Sequence, residues 1–244
     1  MSTFPASPSV LAVVLARGGS KGCPGKNTAI VGGRPCIAWT IEAAQRAQTV
    51  EAVVVSSDDG EALRIGKEMG VAVLPRPAPL ATDSARIDDA ARHAASTVGC
   101  KANAIIVILY ANVPVRPDGL IDRAISLLVK SGADSVQSYG PVGKFHPWWT
   151  ARLDGQGRVE PWEGEVLNHG VYRRQDLPQA VIPDGGVIAV TRRALFLEVA
   201  GGPDGPHAFF GVTRRGVLNE EGSVVDIDSP LDLIVADAVL RSRG

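Results

Sequence analysis

The chain has 244 residues, 45% of them hydrophobic, and its 25 Lys and Arg nearly balance 26 Asp and Glu for a formal net charge of −1. That length can bury one large core, and the balance leaves no overall basic field to hold a nucleic acid, so cations that matter must be concentrated locally. No apolar run approaches a membrane span, and the three cysteines, Cys23, Cys36 and Cys100, have neither metal-ligand spacing nor an even count, which fits a reducing, cytoplasmic setting.

Residues 1–9, with Pro5 and Pro8, read as a disordered lead-in, and residues 10–244 as one domain carrying an insertion. Val10–Ala16 is an unbroken apolar run expected as a buried strand. It opens directly into residues 17–27, Arg-Gly-Gly-Ser-Lys-Gly-Cys-Pro-Gly-Lys-Asn. Glycines interspersed with Arg17, Lys21 and Lys26 let backbone N–H groups turn inward on an anion, as a triphosphate requires. The segment has neither the G-x-x-x-x-G-K-S/T order of a P-loop nor G-x-G-x-x-G, and its bland alternative is a solvated basic turn. Its position favours a ligand, because open α/β sheets bind beyond the carboxyl ends of their strands. Cys23, inside this loop, reads as a small apolar filler.

Helical spacing then marks Pro35–Ala47, followed by a strand at Ala52–Ser56, a helix at Gly60–Met69 and a strand at Val71–Leu74. A helix over Ser84–Val98 leads to Ala104–Leu109, whose Ile and Val content suits a middle strand buried on both faces. Asp118–Ser131 reads as a helix capped by Asp118, and Ala133–Ser138 as another strand. From Gly140 the texture changes to Pro141, Pro147, Trp148, Trp149, Asp154-Gly155, Pro161 and Trp162, a looped insertion expected over residues 140–183. Tryptophans so close together in a segment with little core of its own point to cover by a partner subunit, against the alternative of a local aromatic cluster. A strand at Gly186–Val190, a short helix at Arg193–Ala200, a final strand at Ser223–Ile227 and a closing helix at Pro230–Leu240 complete the chain. Asp226 and Asp228, separated by Ile227 on extended backbone, project to one face, where a hard cation could sit between them and phosphate oxygens. Asp228 could equally cap the helix beginning at Pro230. His93, His146, His169 and His207 show no spacing that gathers them on a metal.

With these elements placed, the chain resembles the acylneuraminate cytidylyltransferase family, the CMP-sialic acid synthetases. The matching stretches are LARGGSKGCPGKN, PCIAWTIEAA, VVVSSDD, RPAPLATDSA, ILYANVPVRP, RRQDLPQAVIPDGG and SVVDIDSPLDL, in that order. The resemblance implies an α/β fold, a Rossmann-like nucleotidyltransferase domain with a mostly parallel sheet and an inserted dimerisation subdomain. It also implies a homodimer and Mg²⁺-dependent transfer of CMP from CTP to an acidic sugar with release of pyrophosphate. Residue by residue, it makes Arg17, Lys26 and Asp226 catalytic and sets Gly18, Gly19, Ser20, Lys21, Asn27, Arg76 and Asp83 on the nucleotide. It turns Tyr110, Asn112, Arg116, Arg174 and Asp184 toward the sugar and gives Asp226 and Asp228 to the metal.

The chain departs from the family on the sugar side. LYANVPVR replaces the usual LQPTSPLR, so Tyr110 stands for a glutamine and Asn112 for a threonine, while Arg116 is retained. Where the family reads NGA-I-Y, this chain has Asp184-Gly185-Gly186-Val187-Ile188. An ionised carboxylate at position 184 only accepts hydrogen bonds and would repel a substrate carboxylate. The expected sugar is therefore not ordinary N-acetylneuraminate. The alternatives are a different acidic sugar such as legionaminate, another nucleotide, or a silent relative that binds without turnover.

Overall fold

The computed structural model describes residues 7–19 and 22–243. Its first strand, β1 (Val10–Ala16), is followed by a minute hairpin of β2 (Ile30–Val31) and β3 (Arg34–Pro35), then α1 (Cys36–Arg46), β4 (Ala52–Ser57), α2 (Gly60–Glu68) and β5 (Ala72–Pro75). Next come α3 (Ile87–Val98), β6 (Ile105–Tyr110), α4 (Leu120–Ser131) and β7 (Ser135–Pro141). The insertion contributes the hairpin β8 (Ala151–Leu153) and β9 (Val159–Pro161), and the chain closes with β10 (Val181–Thr191), α5 (Arg192–Leu195), β11 (Arg214–Leu218) and α6 (Pro230–Ser242).

Seven strands form one sheet in the order β11-β7-β10-β6-β1-β4-β5. Only β10 runs antiparallel to its neighbours β6 and β7. The apolar runs of β1 and β6 are continuous because both faces of the sheet are covered. Ala12, Val14, Val107 and Leu109 face the side of α1, α2 and α4, while Leu11, Val13, Ile106 and Ile108 face α3, Phe209 and Phe210. After β1 the chain winds outward to β4 and β5, then returns to place β6 on the other side of β1. This is the reversal that opens a crevice at the carboxyl ends of the strands. Register levels those ends, with Leu15 opposite both Ser56 and Tyr110.

Several expectations are corrected. The segment expected as a final strand, Ser223–Ile227, bends at 223–224 and makes only the isolated bridge Val115–Val225, because its Val225 and Ile227 N–H groups bond to the loop after β6 rather than to a sheet edge. The outer strand is instead β11, whose sequence Arg-Arg-Gly-Val-Leu carries no apolar run because it is exposed along most of its length. Asp118 does not cap α4; Gly119, in a left-handed conformation with φ 67°, precedes the first helical residue. The helix expected from Ser84 begins at Ile87, and that expected over Arg193–Ala200 ends at Leu195, just before Leu197 at φ 61°.

In the insertion, two of the clustered tryptophans find local partners. Trp148 stacks on His169 with centroids 4.7 Å apart, and the Trp149 indole N–H donates to Val171 O at 2.8 Å. Trp162 remains 63% exposed, alongside Phe145 at 77% and Tyr172 at 83%. None of the described helices is long and apolar enough to cross a membrane.

The edge strand β11 depends on a knot at Asp134. Its Oδ2 accepts from the Val212 and Thr213 N–H groups at 3.0 and 2.9 Å and from the Thr213 hydroxyl at 2.9 Å. Gly211 makes this turn at φ 68°, ψ −161°, and an added Cβ would lie 2.7 Å from Asp134 Cγ. Gly211→Ala therefore combines strain with a clash, and we expect a loss of at least about 2 kcal/mol in urea unfolding. An unchanged midpoint would contradict this account of the turn.

Candidate active site at the switch point of the sheet

The loop after β1 folds back on itself before it can meet a ligand. The Asn27 side-chain amide donates to Arg17 O at 2.8 Å, tying the end of the loop to its start, and Gly18 N donates to Asp58 Oδ1 at 3.0 Å beside the end of β4. Gly25 takes φ 70°, a conformation that favours glycine, and its carbonyl accepts from Thr28 and Ala29 N–H. Gly22 matters for a different reason: a Cβ there would lie 2.8 Å from the Asp228 carbonyl oxygen. Ser20 and Lys21 lie outside the described residues.

That close approach brings the basic loop against the acidic segment. Lys26 Nζ lies 2.6 Å from Asp228 Oδ1, across 202 positions of sequence. Ile227, between the two aspartates, is fully buried with Cys23, Cys36, Val115 and Leu240. Burying the isoleucine turns Asp226 and Asp228 outward. Ile227 N donates to Asn112 O at 2.9 Å, and the Asn112 amide donates both to Asp226 Oδ1 and to Ile227 O. Burial, followed by the like charge of Asp228, pushes the Asp226 carboxyl up to about 6 against the opposing pull of Lys26 and Arg116. Asp228 does not cap α6; Ser229 does, in a capping box with Asp232.

A cleft of about 350 Å³ opens between these groups. Nine of the residues expected at the site line it: Arg17, Lys26, Asn27, Arg76, Asp83, Tyr110, Asn112, Asp226 and Asp228. Arg17 donates to Thr82 O at 2.7 Å and pairs with Asp83 at 3.0 Å, which fastens the loop between β5 and α3 over the loop of residues 17–27. The Arg76 guanidinium is buried against Ser56, with Nη2 donating to Ser56 O at 2.7 Å and Nε to its hydroxyl at 3.2 Å. Burial lowers the pKa of that guanidinium. Burial, with the charge of Asp226 adding to it, pushes the Tyr110 hydroxyl up to about 12 and keeps it neutral. Leu80, Ala85, Arg86 and Ile87 also line the cleft and were missed from sequence. Arg86 directly follows the RPAPLATDSA stretch, and its guanidinium is held on Asp88 at 2.8 and 3.0 Å.

Gly18 and Gly19 belong to the loop without lining the cleft, and an added Cβ at Gly19 would meet nothing within 4 Å. Three other expected residues lie elsewhere. Arg116, only 7% exposed, spends its guanidinium on its own chain: Nε donates to Gly186 O at 2.7 Å, Nη2 to Tyr110 O at 2.9 Å, and Nη1 to the Thr40 hydroxyl at 2.8 Å and to Val113 O. Burial brings that guanidinium down to about 10. Arg174 is exposed in the insertion and paired with Glu221 at 2.8 Å. Both oxygens of Asp184 accept from donors of the chain itself.

The donor set fits a hard cation that is completed by its substrate. Among the described residues no three His, Cys, Asp or Glu gather as a metal cage, so the protein offers the two carboxylates of Asp226 and Asp228. Magnesium commonly takes one or two carboxylates together with substrate phosphates. The upward push that Asp228 exerts on Asp226 is the repulsion such a cation relieves.

The sequence model of a family described as Cytidylyltransferase matches residues 11–153. An N-acylneuraminate cytidylyltransferase of Escherichia coli is 38% identical over 240 residues, covering 96% of this chain and 53% of that protein. The CMP-N,N'-diacetyllegionaminic acid synthase of Legionella pneumophila is 27% identical over 240 residues, covering 95% of this chain and 96% of the relative. The chain spans about half the length of the N-acylneuraminate cytidylyltransferases it matches. Among solved structures, a CMP:2-keto-3-deoxy-manno-octonic acid synthetase complexed with CTP superposes with a TM-score of 0.70 at 16% identity, covering 97% of this chain and 100% of that one, and so shares its fold.

The geometry separates a structural arginine from a substrate contact. Arg116→Ala would strip the donors from several buried acceptors, and we expect unfolding stability to fall by about 3 kcal/mol or more. A variant with normal urea stability and a selective loss of substrate binding would restore Arg116 to the sugar side.

Proposed function

The chain belongs to the cytidylyltransferase family, and from that premise we propose that it transfers CMP from CTP to an acidic sugar and releases pyrophosphate. The observation that carries this reading is the meeting of Lys26 and the phosphate loop with Asp226 and Asp228 across one cleft. In the proposed reaction a sugar hydroxyl oxygen bonds to the α-phosphorus as the bond to the β-phosphate oxygen breaks. The hydroxyl proton leaves to a carboxylate or water. Arg17 and Lys26 hold the triphosphate and stabilise charge on the departing pyrophosphate, so positioning and electrostatics supply most of the rate. Arg76, fixed by Ser56, faces the base or ribose. Asn112 orients Asp226, and Asp226 with Asp228 would hold Mg²⁺, which when bound neutralises phosphate charge.

The acceptor is a 2-keto acid sugar of the nonulosonate class. Two observations favour a legionaminate-type sugar over N-acetylneuraminate. Tyr110 presents a ring in the cleft where the resemblance implies a glutamine, and the Legionella relative matches along nearly its whole length. The exposed Phe145, Trp162 and Tyr172 support a homodimer formed through residues 140–183.

Pyrophosphate release measured with CTP, Mg²⁺ and a panel of acidic sugars tests the assignment, and chelation with EDTA should abolish the signal. Asp226→Ala should lower turnover at least about a hundredfold. Lys26→Met should raise KM for CTP while leaving the urea midpoint nearly unchanged, since its partner Asp228 is exposed and such pairs contribute little to stability. Full turnover in Asp226→Ala would refute the site, and exclusive use of N-acetylneuraminate would refute the sugar preference. By light scattering the native chain should be a dimer and Trp162→Glu a monomer; a monomeric native chain would remove the dimer from this reading.

A further inference from the structure

We infer that Asp184 is a positioning residue that sets Asp226 from behind, in partnership with Asn219, and does not contact the sugar. The inference rests on the cytidylyltransferase reading above. Asp184 stands where β10 breaks its register against β7, between Pro183 and Ile188. Its Oδ1 accepts from the Ser138 hydroxyl of β7 at 2.5 Å and from Gly186 N at 2.9 Å, and its Oδ2 accepts from the Asn219 amide at 2.7 Å. Asn219 is itself buried just beyond β11, and its Oδ1 accepts from Arg123 of α4 at 3.3 Å. The Ser138 oxygen accepts in turn from Val187 N at 2.9 Å. One carboxylate thus ties β7, the end of β11 and the break in β10 together.

The break is what reaches the cleft. Gly185, at φ 75°, comes so close to Asp226 that a Cβ on it would lie 3.2 Å from Asp226 Oδ2, and Gly186 O takes the buried Arg116 Nε at 2.7 Å. Asp226 is therefore held on one side by the Asn112 amide at Oδ1 and backed on the other by Gly185 beside Oδ2. Asp184 itself does not line the cleft. Its charge is matched to three donors, and no amide could accept at both ends: replacing it with asparagine sets an N–H₂ against the Asn219 amide or against Ser138 and Gly186. The arrangement explains why this chain has Asp184 followed by two glycines and pairs it with a buried asparagine. The two positions form one hydrogen-bonded unit.

The test is an exchange of the two side chains. Asp184→Asn faces donor with donor, so kcat should fall about tenfold or more while KM for CTP stays within about threefold, because the error falls on Asp226 rather than on the nucleotide cradle. The double variant Asp184→Asn/Asn219→Asp restores a donor opposite an acceptor and leaves Arg123 an acceptor, so kcat should return to within about threefold of the native value. The same order is expected without turnover, in the factor by which Mg²⁺ tightens CTP binding in calorimetry. Thermal midpoints identify any variant that is merely unfolded. Native turnover in Asp184→Asn overturns the inference, as does a folded, CTP-binding exchange variant that stays as slow as the single one. A native chain that neither releases pyrophosphate nor binds CTP refutes the cytidylyltransferase reading instead.

Discussion

The passage of the backbone at Gly22 against the carbonyl of Asp228 fixes the relation between the two ends of this chain. Nothing larger than glycine fits, and the contact brings Lys26 within 2.6 Å of Asp228. The ion pair itself is mostly solvated on the aspartate side, so it does not account for the approach. Burial of Ile227 does. It packs under the loop of residues 17–27 with Cys23 and Cys36, and the two carboxylates on either side of it face the cleft. The Asp-Ile-Asp alternation is therefore an instruction about burial first and about charge second.

The sheet carries the rest of the site by level strand ends. β1 and β6 finish side by side at Leu15 and Tyr110, so the loop of residues 17–27 and the turn bearing Asn112 leave from the same height. Asn112 then joins the turn to the acidic segment through Asp226 and Ile227. Three stretches far apart in sequence are thereby fixed by backbone bonds and one amide. Such a frame keeps charged groups in place without asking their own ion pairs to hold it together.

What could be read beforehand follows from what each segment buries. Val10–Ala16 and the strand ending at Tyr110 are continuous apolar runs, because both of their faces are covered, and their place in the chain was legible. β11 is an exposed edge held by the knot at Asp134, and Arg-Arg-Gly-Val-Leu carries no period that would mark it. Residues 223–227 have a strand's composition but bond to a loop, a distinction that resides in partners alone. At the site, nine residues that line the cleft were legible from motif and charge, whereas Leu80, Ala85, Arg86 and Ile87 were not. Arg116 and Asp184 were not, because their side chains are satisfied by carbonyls, hydroxyls and amides from distant elements. Polarity in a motif indicates that a partner exists and leaves open whether it is substrate or chain.

Arg116 shows what that difference does to the chemistry. A guanidinium buried this deeply keeps a charge only because four acceptors surround it and the carboxylates of Asp226 and Asp184 lie near enough to favour it. In return it draws on Asp226, as Lys26 does, so the rise of that carboxyl to about 6 is what remains after two cations have opposed burial and Asp228. Under the proposed reading, a triphosphate arriving at the loop competes with Asp228 for Lys26. Among the described residues, the buried Arg116 then remains as a fixed counter-charge to Asp226, and it cannot move toward the substrate because its N–H groups are already committed. In that reading Asp226 and Asp228 would hold a divalent cation arriving with the nucleotide, and its charge would offset the repulsion between them. On that proposed reading the fixed arginine and the lysine would divide the work: one maintains the charge of Asp226, and the other would leave Asp228 when the nucleotide binds.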